Sequence, residues 1–226
     1  MNGRYQIVPK IIFPLVFLLC FSASGVNTGC SKLSAGNREA VGKKWICDRG
    51  ADDAMSRYDY EAGISLHERL LEKQPENALA LYHLGYAYGR TEDHLKEAFY
   101  YEKAVALGFT SDQIYFNLGM AYGELNHMEK SIAAFKKALE INPDSADYHF
   151  ELAMAYLVVM DKKPAEEEFL KVIRIDQGNV EARLLLSSLY IESGELQKAA
   201  QQIREILKID PANEEAQKIL ERIQEK

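Results

Sequence analysis

Five histidines, three cysteines and a glycine-rich stretch are the residues in this 226-residue chain whose types could support chemistry. His67-Glu68-Arg69-Leu70-Leu71 starts like the helical pattern in which two histidines four apart hold zinc beside a glutamate base. Leu71 stands where the second ligand would be needed, so the pattern fails. Gly36 to Lys44 has the flavour of a phosphate loop, but five residues rather than four separate Gly36 from Gly42, and Lys44 replaces Ser or Thr. His67, His83, His94, His127 and His149 are scattered, with His94 and His127 in expected turns between helices. A metal site pairing His83 or His149 with a groove methionine is not expected. Cys20, Cys30 and Cys47 have neither metal-ligand spacing nor the numbers for a disulfide framework. No catalysis, metal or cofactor is expected, and the fold must rest on its apolar core.

What positions side chains in this chain is a period of 34 residues. Leu84, Leu118, Leu152 and Leu186 are spaced by it, as are Tyr88, Tyr122, Tyr156 and Tyr190, and Gly85, Gly119, Ala153 and Ser187 put a small residue after each leucine. Leucine and tyrosine four apart share one helix face, and the second half of each period carries small, bulky and small residues four and three apart on another. Two short amphipathic helices per period follow. Prolines 75, 143 and 211 sit where one helix must stop before the next. Self-similarity at this length predicts an all-α solenoid of helical hairpins, in which each unit buries its apolar face against its neighbours.

Counting from residue 44 gives five units, 44–77, 78–111, 112–145, 146–179 and 180–213. Tyr115, Leu118, Gly119, Tyr122, Ser131, Phe135, Ala138 and Pro143 in the third unit resemble the tetratricopeptide repeat (TPR). The fourth unit (Leu152, Ala153, Tyr156, Ala165, Phe169, Val172) and the fifth (Leu186, Ser187, Tyr190, Ala199, Ile203, Ile206, Pro211) agree. The resemblance implies a right-handed solenoid. The second unit departs from it, with Glu97 at a small-residue position and Phe109 for proline, so Ala98 is expected to serve through a local register shift. The first unit is more divergent, with Gly50, Ala51 and Ala54 at the motif positions, as suits an end. Residues 214–226 carry Ala216, Ile219, Leu220 and Ile223 at helical spacing and are expected to form a capping helix.

The N-terminus reads differently. Arg4 and Lys10 precede an apolar run, Ile11 to Phe21, and then Ser22-Ala23-Ser24-Gly25. The run is about half the ~20 apolar residues of a membrane span, so residues 1–29 read as a secretory signal, with an uncleaved anchor as the alternative. Thr28-Gly29-Cys30-Ser31 resembles a bacterial lipoprotein site, which would make Cys30 the lipidated first residue; ordinary cleavage after Ser24 or Gly25 stays open. Lipid on Cys30 would leave Cys47 a lone thiol; otherwise the two could pair. Residues 30–43 read as a linker. The expected location is the periplasmic side of a bacterial envelope.

Residues 1–43 hold five basic side chains and one acidic, which leaves 22 Lys and Arg against 33 Asp and Glu in the repeats and a net charge of −11 there. That excludes sustained contact with nucleic acid and confines membrane contact to the N-terminus. In the resembled family the first helix of each unit lines a concave groove. Its positions here are Tyr82, Phe116, Phe150 and Leu184, then Tyr86, Met120 and Met154, then Gly89, Gly123 and Leu157. The aromatic row also suits packing between helices, whereas the methionines suit an adaptable binding surface. The two glycines would leave room for a ligand against the backbone. Asp48, Asp52, Glu124, Asp147, Glu181 and Glu192 give an acidic rim, with Arg90 the one evident base. The expected partner is a protein helix or peptide with an apolar ridge and basic flanks, and by family resemblance the role is scaffolding in a pilus, secretion or outer-membrane assembly. Self-association into a homo-oligomer and service as an accessory subunit of an envelope enzyme are the alternatives.

Overall fold

A computed structural model describes Trp45 and residues 48–225, and these residues are helices and short turns throughout. Eleven helices follow in order among them: α1 (Arg49–Ser56), α2 (Tyr60–Lys73), α3 (Ala78–Arg90), α4 (His94–Ala106), α5 (Asp112–Glu124), α6 (Met128–Ile141), α7 (Ala146–Val158), α8 (Lys162–Ile175), α9 (Val180–Glu192), α10 (Leu196–Ile209) and α11 (Glu214–Gln224). Each packs mainly on the helix before it and the helix after it, and the one further substantial contact joins α3 to α5. No described helix is long and apolar enough to cross a membrane. The signal, the Cys30 site, Cys47 and the linker lie outside the described residues.

The helix starts are set by side chains that repeat at the 34-residue period. Asn77, Ser111, Ser145, Asn179 and Asn213 each accept a hydrogen bond from the backbone N–H three residues on, satisfying a donor that the first turn leaves unpaired. Asp48 does the same for Ala51, and α1 has eight residues where α3, α5, α7 and α9 have thirteen. The turn inside each hairpin also keeps the period. Tyr58, Glu92, Asn126, Met160 and Gly194 all have φ between +57° and +77°. Only glycine enters that left-handed region without steric cost, and asparagine tolerates it better than most. Tyr58 and Met160, each 73% exposed, take it because the hairpin geometry requires it.

Inside a hairpin, a large side chain from the second helix lies on a small residue of the first. Tyr101 covers Gly85, Phe135 covers Gly119, and Phe169 packs with Ala153. Tyr101 and Phe135 are almost fully buried, and Ser131 donates a hydrogen bond of 2.7 Å to the Gly119 carbonyl, which holds α6 close to α5. The tyrosines 34 apart reach back to the preceding hairpin. Tyr88 donates to Glu68, Tyr122 to Glu102 and Tyr190 to Glu166, while Tyr156 meets Lys136 over its ring instead. The α11 helix buries Ala216 against Ile203 and Ile206.

The second unit corrects one expectation. No register shift occurs, and Tyr101 occupies the same place as Phe135 and Phe169. Glu97 stays at the small-residue position, buried, with its carboxylate lying against Gly89 and 2.8 Å from His94 Nδ1. Phe109 replaces the proline because it is core: it stacks on Tyr82 at 5.0 Å and meets Trp45 at 5.6 Å.

Burial raises the Glu97 carboxyl above its usual value, with the His94 hydrogen bond opposing, and that same bond raises His94 despite its partial burial. Both groups therefore hold a proton more tightly when folded. Their contributions are fully present below the ordinary values of 4.5 and 6.5 and are lost as pH rises through the raised ones. Melting temperature is expected to fall through this pair as pH rises past those ordinary values, and Glu97→Gln should flatten that part of the profile. An unchanged slope in thermal melts of the variant would contradict the assignment.

Candidate binding groove

The positions expected to line a groove fall on α3, α5, α7 and α9, the first helices of successive hairpins, and the period places them on one face. The structure divides them. Met120 and Phe150 are 8% and 6% exposed and belong to the core: Met120 packs with Phe135, Leu152 and Ala155, and Phe150 meets Phe169 edge-on at 5.8 Å. They have little surface to offer a partner. Tyr82, Tyr86, Phe116, Met154, Leu157 and Leu184 are half-buried. Phe116 stacks on Tyr148 at 4.7 Å, which bonds through its hydroxyl to Asp112, and Tyr86 sets its ring edge against Tyr60 at 6.2 Å. The Tyr82 hydroxyl is pushed up to about 12, by burial first and by Asp112 second. Part of each ring therefore serves packing between helices.

The space expected beside the glycines is filled. A side chain at Gly89 would collide with the Glu97 carboxylate, and Gly123 is buried. The reason is non-local: the residue opposite Gly89 is long and acidic where Gly85 and Gly119 face rings.

The acidic rim is also smaller than expected. Asp52 turns inward and lies 3.2 Å from His83, and Asp48 caps α1. Glu124, Asp147, Glu181 and Glu192 remain exposed, with Glu192 2.7 Å from Lys162. Partial desolvation of its carboxyl, on a side chain that stays exposed overall, raises Glu181. Arg90 lies over the Tyr60 ring at 5.7 Å.

The histidines fall into two kinds. His149 uses both ring nitrogens, one 2.5 Å from Glu168 and one 3.0 Å from the Pro143 carbonyl, so it meets no methionine. Burial alone would raise Glu168, but hydrogen bonds from His149 and Lys171 outweigh it and hold the carboxyl low. An open depression of about 390 Å³ between α6, α7 and α8 borders this pair. His67 and His83 are buried face to edge at 4.9 Å beside Asp52. Burial, then His83, lowers His67 to about 3, so it is neutral. Sequence reasoning treated these residues as unrelated. The signal that links them is the period itself, since His67 stands 34 before Tyr101 and His83 stands 34 before Asn117, a pair that the structure joins at 3.0 Å.

The hairpin array and its face of first helices define a helical-repeat solenoid of the kind that binds other chains on its surface. Tetratricopeptide repeat profiles match residues 49–110, 112–145, 134–169 and 165–223, and the chain belongs to the tetratricopeptide repeat family. No curated protein sequence matches it. Among solved structures, MamA superposes with a TM-score of 0.69 at 23% identity, covering 74% of this chain and 97% of MamA. YrrB, described as a TPR protein with an unusual peptide-binding site, gives 0.68 at 19% identity, covering 78% of this chain and 89% of YrrB. A MamA fragment from Desulfovibrio magneticus RS-1 gives 0.66 at 13% identity, covering 73% and 93%.

Proposed function

We propose that this chain is a non-enzymatic scaffold that holds an apolar, basic-flanked helix or peptide of a partner protein against α3, α5, α7 and α9. The observation that carries the reading is the juxtaposition of half-buried Tyr86, Phe116, Met154, Leu157 and Leu184 with exposed Glu124, Asp147 and Glu181 on those helices. Apolar side chains supply contact area, methionine adapts to its shape, and the carboxylates favour Lys or Arg at the flanks and repel acidic segments. The peptide-binding site in the description of YrrB supports a peptide as the ligand class. We place the scaffold at the periplasmic side of a bacterial envelope, tethered through Cys30, in the assembly of a pilus, secretion or outer-membrane complex. That placement rests on the N-terminal sequence and its resemblance to lipoprotein sites.

A designed amphipathic Leu/Lys peptide should bind in fluorescence anisotropy, and its Leu/Glu counterpart should not. Met154→Glu should weaken the Leu/Lys peptide at least ~10-fold, the effect of about 1.4 kcal/mol. Leu170→Glu, at a side chain 42% exposed on α8, should leave it unchanged. Equal binding of both peptides, or indifference to the Met154 change, would defeat the proposal. Intact mass of the membrane-fraction protein tests the tether: a chain starting at Cys30 with acyl mass supports it, and one starting near Gly25 without lipid removes it.

A further inference from the structure

We propose that Asp52, His67 and His83 form a structural binding site for a late first-row divalent cation, for which zinc is the best fit. The three residues come from α1, α2 and α3, and each offers a ligand atom within 4.8 Å of the others. His67 is 1% exposed and His83 6%. Both ring nitrogens of His67, Nδ1 of His83 and Oδ1 of Asp52 have no hydrogen-bonding partner among the described residues; His83 Nδ1 and Asp52 Oδ1 approach to 3.2 Å without the alignment of a hydrogen bond. Buried polar groups are normally satisfied, and three converging ones that are not point to a ligand.

The repeat sharpens this. At the register of His67 the later hairpins place Tyr101, Phe135, Phe169 and Ile203, and at the register of Asp52 they place Tyr86, Met120, Met154 and Ser188. Only the first hairpin puts a histidine and a carboxylate at those two positions, with a second histidine from α3 facing them. At the equivalent point of the next hairpin, the Asn117 amide donates to the Tyr101 hydroxyl at 3.0 Å and the polar pair is satisfied. Nothing comparable satisfies His67.

Two imidazoles and a carboxylate suit zinc and its neighbours rather than calcium or magnesium, which take oxygen shells. Bonds of about 2.0–2.1 Å to a tetrahedral ion set ligand atoms about 3.4 Å apart, so side-chain shifts of about 1 Å bring the three to the ion, and a water would take the fourth position. The Asp52 side chain, 11% exposed, gives the route in, and Asp48 is near enough to bear on His67 electrostatically. The ion would clip the short α1 to the two helices that follow it.

The test uses the full chain, stripped with a chelator and titrated with Zn²⁺ against a competing chelator dye. One ion per chain is expected, with a rise in Tm on loading. Asp52→Asn and His83→Gln should each weaken binding at least tenfold and abolish the Tm rise, while Cys47→Ser and His149→Gln leave both in place. X-ray absorption of the zinc-loaded wild type should give a nitrogen and oxygen shell at about 2.0–2.1 Å. Because the variants touch buried positions and could unfold, this last measurement stands without them. No binding by the wild type, a sulfur shell near 2.3 Å, or binding that survives loss of His83 would each overturn the site.

Discussion

Replacing Phe135 by alanine should cost about 3–5 kcal/mol of stability, the range for removing a buried aromatic ring. The ring is 2% exposed, touches Phe116 at 5.7 Å, and packs with Met120, Leu152 and Ala155 from α5 and α7. It also fills the space above Gly119, where a side-chain carbon would lie 2.5 Å from it, so the opposing helix has nothing to extend into the void. Urea unfolding followed by circular dichroism is the measurement. Phe99→Ala on α4, at a side chain 48% exposed, is the comparison and should cost well under half as much. A loss below ~1 kcal/mol at Phe135 would mean that α5 and α6 close over the gap. In an array stabilised by neighbour contacts, the damage should split unfolding into two steps, one for each side of the third hairpin.

The second large effect is expected from adding atoms. Gly85→Val should cost roughly 3 kcal/mol, the upper part of the range for overpacking. A carbon at Gly85 would sit 2.6 Å from the Tyr101 ring. That ring cannot retreat, because Asn117 holds its hydroxyl and Tyr82 lies against it at 5.7 Å. Helix propensity alone predicts the opposite sign for Gly→Ala, a gain of about 1 kcal/mol, so Gly85→Ala weighs the two effects directly. Ala153→Gly, at the same register of the fourth hairpin, should lose about 1 kcal/mol by propensity. If Gly85→Val left the midpoint unchanged, the close approach of α3 and α4 would not be what requires glycine there.

The helices and their large-on-small contacts were legible because every one of them repeats: Leu84 predicts Leu118, and Gly119 beneath Phe135 predicts Ala153 beneath Phe169. Residues that break the period were not. Glu97 reads as a misfit until Gly89, eight residues earlier, is seen to face it across the hairpin. Asp52, His67 and His83 come from two hairpins whose first lacks the Leu and Tyr markers, so the period that sets His67 against Tyr101 and His83 against Asn117 shows a contact only once that second pair is seen to meet. The groove was half legible for a related reason. Periodicity places Met120, Phe150 and Met154 on the same helix face, but how deep each lies depends on the helix packed against it: Phe169 of the same hairpin covers Phe150, and Leu152 of the next hairpin covers Met120.

Among the described residues every substantial helix contact but one joins neighbours in the chain, so the sequence separation across a contact is set by the hairpin and not by the length of the array. Chain closure then carries the same entropic cost wherever it happens, and it stays low. Folding can begin at whichever hairpin forms first and spread both ways without waiting for the termini to meet. The rate should depend on a hairpin's own stability and barely change when α11 is removed or a hairpin is added.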